Sequence, residues 1–282
     1  MNLVKSKVAE TWAVNVEKWP GETPERILQL TDEVLSVFAE CFGEDVLHQR
    51  EVMLENACGN EYAPITYPKR YHANQAQSVD YRVVLNNTVN RPYQFYYQAA
   101  HEFSHVFMEC YPGAKHLKWI SESMCDAASF FVLAKLMKLS PENKKSYFNS
   151  YLASATSQSL PMFQGQAVSE FYKENKDCFW TCPHGLRSKG FRVRNGVIAL
   201  KMLELIEKYP RGWACITKMR DTPLFELNLE PSDKAIELYF NTWMLNCSSQ
   251  SHDSENLGHV EEQLAFVYAL LQALLVLEQD HT

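Results

Sequence analysis

His101-Glu102-Phe103-Ser104-His105 lies inside a helical pattern, and this stretch constrains the chain more than any other. Pro92 can open a helix, and Pro112-Gly113 ends it near Tyr111. Between them Tyr96, Ala100, Phe103, Phe107 and Cys110 recur at steps of four, three, four and three, which is one apolar face at helical period. In a helix, residues four apart stand one above the other. His101 and His105 can therefore reach a single zinc ion at about 2.0–2.1 Å each. Glu102 is one step round the helix. It is poorly placed to join them as a ligand and well placed to take a proton from a metal-bound water. The bland alternative is a pair of helix histidines bonded to their neighbours.

A catalytic zinc needs a third protein ligand and one open position. Glu122 and Asp126 are four apart on the next expected helix, from about Trp119 to Leu139. That helix continues Ala127-Ala128-Ser129-Phe130-Phe131-Val132-Leu133-Ala134, apolar nearly all round, so it should be buried. A carboxylate there is costly unless a cation or donor meets it. Zinc would answer Glu122, and the ring N–H of a zinc-bound histidine would answer Asp126. For Glu122 alone, a favourable place at a helix N-terminus is the competing explanation.

His101-Glu102-Phe103-Ser104-His105 followed by Glu122-Ser123-Met124-Cys125-Asp126-Ala127 resembles the gluzincin metallopeptidases, with HExxH on one helix and ExxxD on the next. Within them the stretch is most similar to the short, intracellular IrrE-type peptidases, over about residues 80–134. The resemblance implies His101, His105 and Glu122 as zinc ligands, Glu102 as the base, and Asp126 as the residue that orients His101. It implies a polypeptide substrate that pairs with an edge strand, and a strand at Tyr81–Asn86 beside the cleft. No helix-turn-helix region accompanies it. Met53-Leu54-Glu55-Asn56 is a faint match to the exopeptidase GxMEN motif, without its glycine.

The rest of the chain supports an α+β reading. Thr23-Pro24-Glu25 has the residues of a helix start, and the helix should run to Phe42, before Gly43. Residues 45–90 look extended, with Tyr81, Val83 and Leu85 alternating on one face of the best strand. Further helices are expected from Ser140-Pro141-Glu142 onward and near 195–208, 232–246 and 259–278. Polar stretches near 155–166 and 247–257 read as linkers. The expectation is a small antiparallel sheet packed on the HExxH helix, followed by a mainly helical C-terminal lobe. The division is 1–156 for the zinc-binding lobe and 157–282 for the helical one, which could also form one continuous domain.

A net charge of −7 argues against a nucleic-acid binder. Asn15, Glu17 and Lys18 interrupt the one candidate leader, so no secretory signal is expected. The apolar run Leu264 to Leu277 falls short of the roughly 20 residues that span a bilayer, and reads as a buried or dimer-forming helix. Eight scattered cysteines without a CxxC pair suit reduced thiols in a cytoplasmic protein.

Weaker candidates complete the list. Tyr97, one turn before His101, and His184, in Cys182-Pro183-His184-Gly185, could steady a tetrahedral oxyanion, or could simply be packed or surface residues. Cys178, Cys182 and His184 have an unusual spacing for a second zinc site. Arg187, Lys189, Arg192 and Arg194 could grip a carboxylate, though a solvated charge run has the same pattern. His72 and His116 read as loop or surface residues. The rivals to a peptidase are a non-peptidase metal enzyme on the same motif, a binding module with a structural or vestigial zinc, and a protein without metal.

Overall fold

The computed structural model describes residues 2–57, 64–69, 79–86, 91–109, 118–139, 142–181, 189–222, 232–249 and 257–275. The chain divides into two compact units: Met1–Cys110 with Ala128–Ser154, and Tyr111–Ala127 with Ala155–Thr282.

The first unit begins with β1 (Leu3–Lys5), β2 (Trp12–Asn15) and helix α1 (Pro24–Phe42). The start and stop of α1 are local chemistry. The Thr23 hydroxyl accepts from the Arg26 N–H, Pro24 occupies the first turn, and Gly43 ends the helix at φ 86°. A short helix α2 (Glu44–Leu47) follows, then β3 (Val52–Asn56), β4 (Ile65–Pro68) and β5 (Tyr81–Leu85). The five strands form one sheet in the order β1-β2-β3-β5-β4.

The α+β class is as the sequence suggests, but the sheet is mixed rather than antiparallel. β2 with β3 and β3 with β5 pair parallel; the two outer pairings are antiparallel. The cause lies in the connections. α1 carries the chain from the end of β2 back to the start of β3, and such a crossover makes neighbours parallel. β5, the strand expected at Tyr81–Asn86, is interior, between β3 and β4. Among the described residues the edges are β1 and β4.

Register divides the side chains between two faces. Val14, Leu54, Val83 and Thr66 lie in one row across the sheet; Trp12, Val52, Tyr81 and Pro68 lie in the next row on the same face. This face packs on helix α3 (Pro92–Phe107): the Trp12 ring meets Phe103 edge-on at 4.6 Å and Phe107 at 5.9 Å. Phe38 and Phe42 of α1 close on Phe107 at 4.9 and 5.2 Å. The Tyr96 hydroxyl donates to the Glu33 carboxylate, clamping α3 to α1. Burial and this bond raise the Tyr96 phenol far above its usual range. On the opposite face the Glu55 carboxylate, 3 % exposed, accepts from the Asn15 amide at 2.7 Å and from Arg82 at 2.5 Å.

Helix α4 (Lys118–Leu139) runs unbroken and is cut by the division into units; its half from Ala128 belongs to the first unit with most of α5 (Glu142–Thr156). The second unit holds α6 (Ser159–Gly165), α7 (Val168–Thr181), α8 (Lys189–Lys208), a 3-10 segment at Gly212–Asp221, α9 (Asp233–Ser248) and α10 (Leu257–Leu274). The expected linker at 155–166 thus contains a helix. It is polar and its local sequence says little; packing on α8 forms it. Ser159 Oγ donates to the Val193 carbonyl at 3.0 Å, and a Cβ on Gly196 would meet Ser159 Oγ at 2.2 Å, so any larger residue there would force Ser159 to shift. Residues 250–256 of the other expected linker lie outside the described residues. In α10 the apolar run turns inward, burying Phe266, Val267, Leu270, Leu271 and Leu274. The Trp243 indole N–H of α9 donates to the Cys215 carbonyl at 2.7 Å. Among the described residues no helix is long and apolar enough to cross a membrane.

Candidate metal centre

α3 is held by its apolar face, which buries Phe95, Ala99, Phe103 and Phe107. The histidines follow from that anchoring. His105 is 5 % exposed and His101 half-buried, and their rings lie one turn apart with centroids 5.1 Å from each other at 71°. The i, i+4 expectation from the sequence therefore describes the actual placement of the two rings.

α4 meets α3 one turn away. Ser129 Oγ donates to the Tyr97 carbonyl at 2.9 Å, and the Phe130 ring lies 5.9 Å from that of Tyr97. Cys125 is one turn before Ser129, and His101 one turn after Tyr97. The ligand atoms of His101, His105 and Cys125 all lie within 4.8 Å of one another. Two imidazoles and a thiol form a nitrogen-and-sulfur donor set of the kind zinc takes.

Glu122 and Asp126 are both half-buried on α4, three residues before and one after Cys125. Neither belongs to the group that converges with the histidines. Cys125 was not singled out from the sequence. It sits inside the quoted motif, but α4 is apolar almost all round, so its period does not reveal which face meets α3.

Glu102 is 4 % exposed, and its Oε2 accepts from the Thr66 hydroxyl at 2.8 Å. The same hydroxyl lies 3.1 Å from the Glu102 backbone carbonyl. Thr66 carried no local signal, since it stands in β4, far from the motif in sequence. Tyr97 is anchored through its carbonyl and packs its ring on Phe130.

Other candidates separate from this centre. Glu55 faces the side of the sheet away from α3 and is engaged by Asn15 and Arg82, which leaves the GxMEN likeness without a role near the histidines. Arg194 donates to the Asn175 side chain at 2.9 Å, and Arg192 is exposed. Cys178 is a half-buried free thiol. His72, His116, Cys182, His184 and Arg187 lie outside the described residues. Comparison of the chain with protein-family models, with curated proteins and with solved structures gives no match.

Proposed function

We propose that this chain is a zinc-dependent hydrolase that cleaves peptide bonds with Glu102 as general base. One observation carries the reading: two imidazoles one helical turn apart converge with a thiol, and the residue between them in the motif is a buried glutamate. His101 and His105 would hold the ion, with the third donor from α4, where Glu122 and Cys125 are the candidates. Bound zinc would lower the pKa of a water toward about 7 and polarise a substrate carbonyl.

The chain's own residues account for the rest. Glu102 takes a proton from the attacking water and passes it to the leaving amine. Asp126 orients His101 through its ring N–H. Tyr97 and His184 are the candidates to steady the oxyanion. Among the described residues β4 ends the sheet, and it is the strand on which an extended polypeptide could add. A cytoplasmic setting accords with the free thiols Cys178, Cys215 and Cys247. The proposal includes no nucleic-acid or membrane partner, and a homo-oligomer through α10 stays part of it.

Cys125 also favours a second reading. If Cys125 and Glu122 both bind, four protein donors close the site, and the protein is a binding module with a structural zinc. Elemental analysis of the purified chain, with hydrolysis of an unfolded casein-like protein, separates the two. Bound zinc with hydrolysis that is lost in Glu102→Gln is expected. Bound zinc without hydrolysis would select the binding module, and absence of zinc would remove both readings.

A further inference from the structure

We infer that Thr66 is the positioning residue for Glu102, fixing the carboxylate of the proposed base from the edge strand of the sheet. The inference rests on the hydrolase reading for its catalytic meaning, and on geometry within the first unit for everything else.

The row that contains Thr66 gives the first argument. Val14, Leu54, Val83 and Thr66 stand side by side across the sheet on the face that meets α3. The first three are aliphatic and buried; the fourth carries a hydroxyl and is 4 % exposed. Valine has almost the same shape as threonine and suits a strand as well. Packing alone would therefore be served by a fourth aliphatic residue. What threonine adds is one polar atom, and that atom is 2.8 Å from Glu102 Oε2.

The second argument is the cost of burying a carboxylate. Glu102 needs donors where water is scarce, and Thr66 supplies one from an element other than its own helix. The hydroxyl also suits a group that gains and gives up a proton during turnover. It has one donor and two acceptor positions. Toward the carboxylate it donates to Oε2. Toward the protonated carboxyl it accepts the Glu102 O–H and turns its own hydrogen to the Glu102 carbonyl, 3.1 Å away. The heavy atoms stay in place in both states, and the hydroxyl proton is never transferred.

Thr66→Val, Thr66→Ser and Glu102→Gln in the full chain test this, each with zinc content, kcat and KM on an unfolded casein-like substrate. Thr66→Val is expected to lower kcat about 10- to 100-fold, the scale of a small misplacement of a catalytic group, with KM and bound zinc close to wild type. Thr66→Ser should restore most of kcat. Wild-type kcat in Thr66→Val, or an equal loss in Thr66→Ser, would overturn the inference. If Thr66→Val does not fold, Thr66→Ala takes its place. A crystal structure of the zinc-free valine variant gives a readout independent of turnover: the Glu102 carboxylate should rotate from its wild-type position. An unmoved carboxylate refutes positioning. A rotated carboxylate in a protein whose wild type hydrolyses nothing refutes the hydrolase reading alone.

Discussion

Ser129 of α4 donates its hydroxyl to the backbone carbonyl of Tyr97 at 2.9 Å, and this bond fixes which turn of α4 faces which turn of α3. Removing it in Ser129→Ala should cost about 1 kcal/mol, the usual net worth of such a bond, measured by urea unfolding. Ser129→Leu should do more. Ser129 has no exposed surface, so the larger side chain must push the helices apart and lower zinc content as well as stability.

His105→Ala should leave the chain without bound zinc, by elemental analysis, and His101→Ala should weaken binding strongly. With cobalt in place of zinc, a thiol this close to both imidazoles predicts a near-ultraviolet thiolate-to-metal band that Cys125→Ser removes. A cobalt-loaded protein without that band would return the third position to Glu122.

Glu102→Gln should keep zinc and lose activity by about 10²–10⁴-fold, the range for a general base. Glutamine retains the acceptor for Thr66 and so isolates the proton-transfer role from folding. Unchanged turnover in this variant removes Glu102 from the mechanism.

On the far face of the sheet, Glu55→Ala should destabilise the first unit by about 3 kcal/mol, because it strands Arg82 and the Asn15 amide. The low end of the range for a broken buried pair applies, since Arg82 keeps a quarter of its side chain in water. Zinc binding should be unaffected, as this cluster faces away from α3. Denaturant midpoints and metal content measured on the same samples check both halves.

The phenols of Tyr96 and Tyr239 predict alkaline sensitivity. Burial, first of all, raises both above the ordinary value of 10.0, and for Tyr96 the Glu33 carboxylate adds to it. A raised folded value means that the unfolded chain loses these protons first. The corresponding stability is intact below about pH 10 and declines as pH climbs above it. Tyr96→Phe should lessen that decline, seen as a shallower fall in thermal midpoint above pH 10, and unchanged pH dependence would count against it.

Where control is local, the sequence is readable to the residue. The α1 cap at Thr23 and its stop at Gly43 depend on neighbours in the chain, and so does the alignment of His101 over His105. The strand Tyr81–Leu85 is visible in its alternation. Its interior place and parallel partner are not, because both depend on how α1 returns the chain to β3. The helix at Ser159–Gly165 escapes for the same reason, being held by Val193 and the space at Gly196.

The candidate metal centre divides along this line. Helical periodicity alone stacks the two imidazoles, since a turn of α-helix brings every fourth residue onto one face. It is silent about α4, whose apolar residues surround the helix and leave its facing side to be chosen by packing. The bond from Ser129 to Tyr97 and the closeness of the Cys125 sulfur to the pair are both contacts of this kind. Thr66 reaches Glu102 across 36 residues, through a sheet register that no short window of sequence contains. Short-range geometry is written in adjacent residues, whereas contacts between elements exist only once the chain has closed on itself.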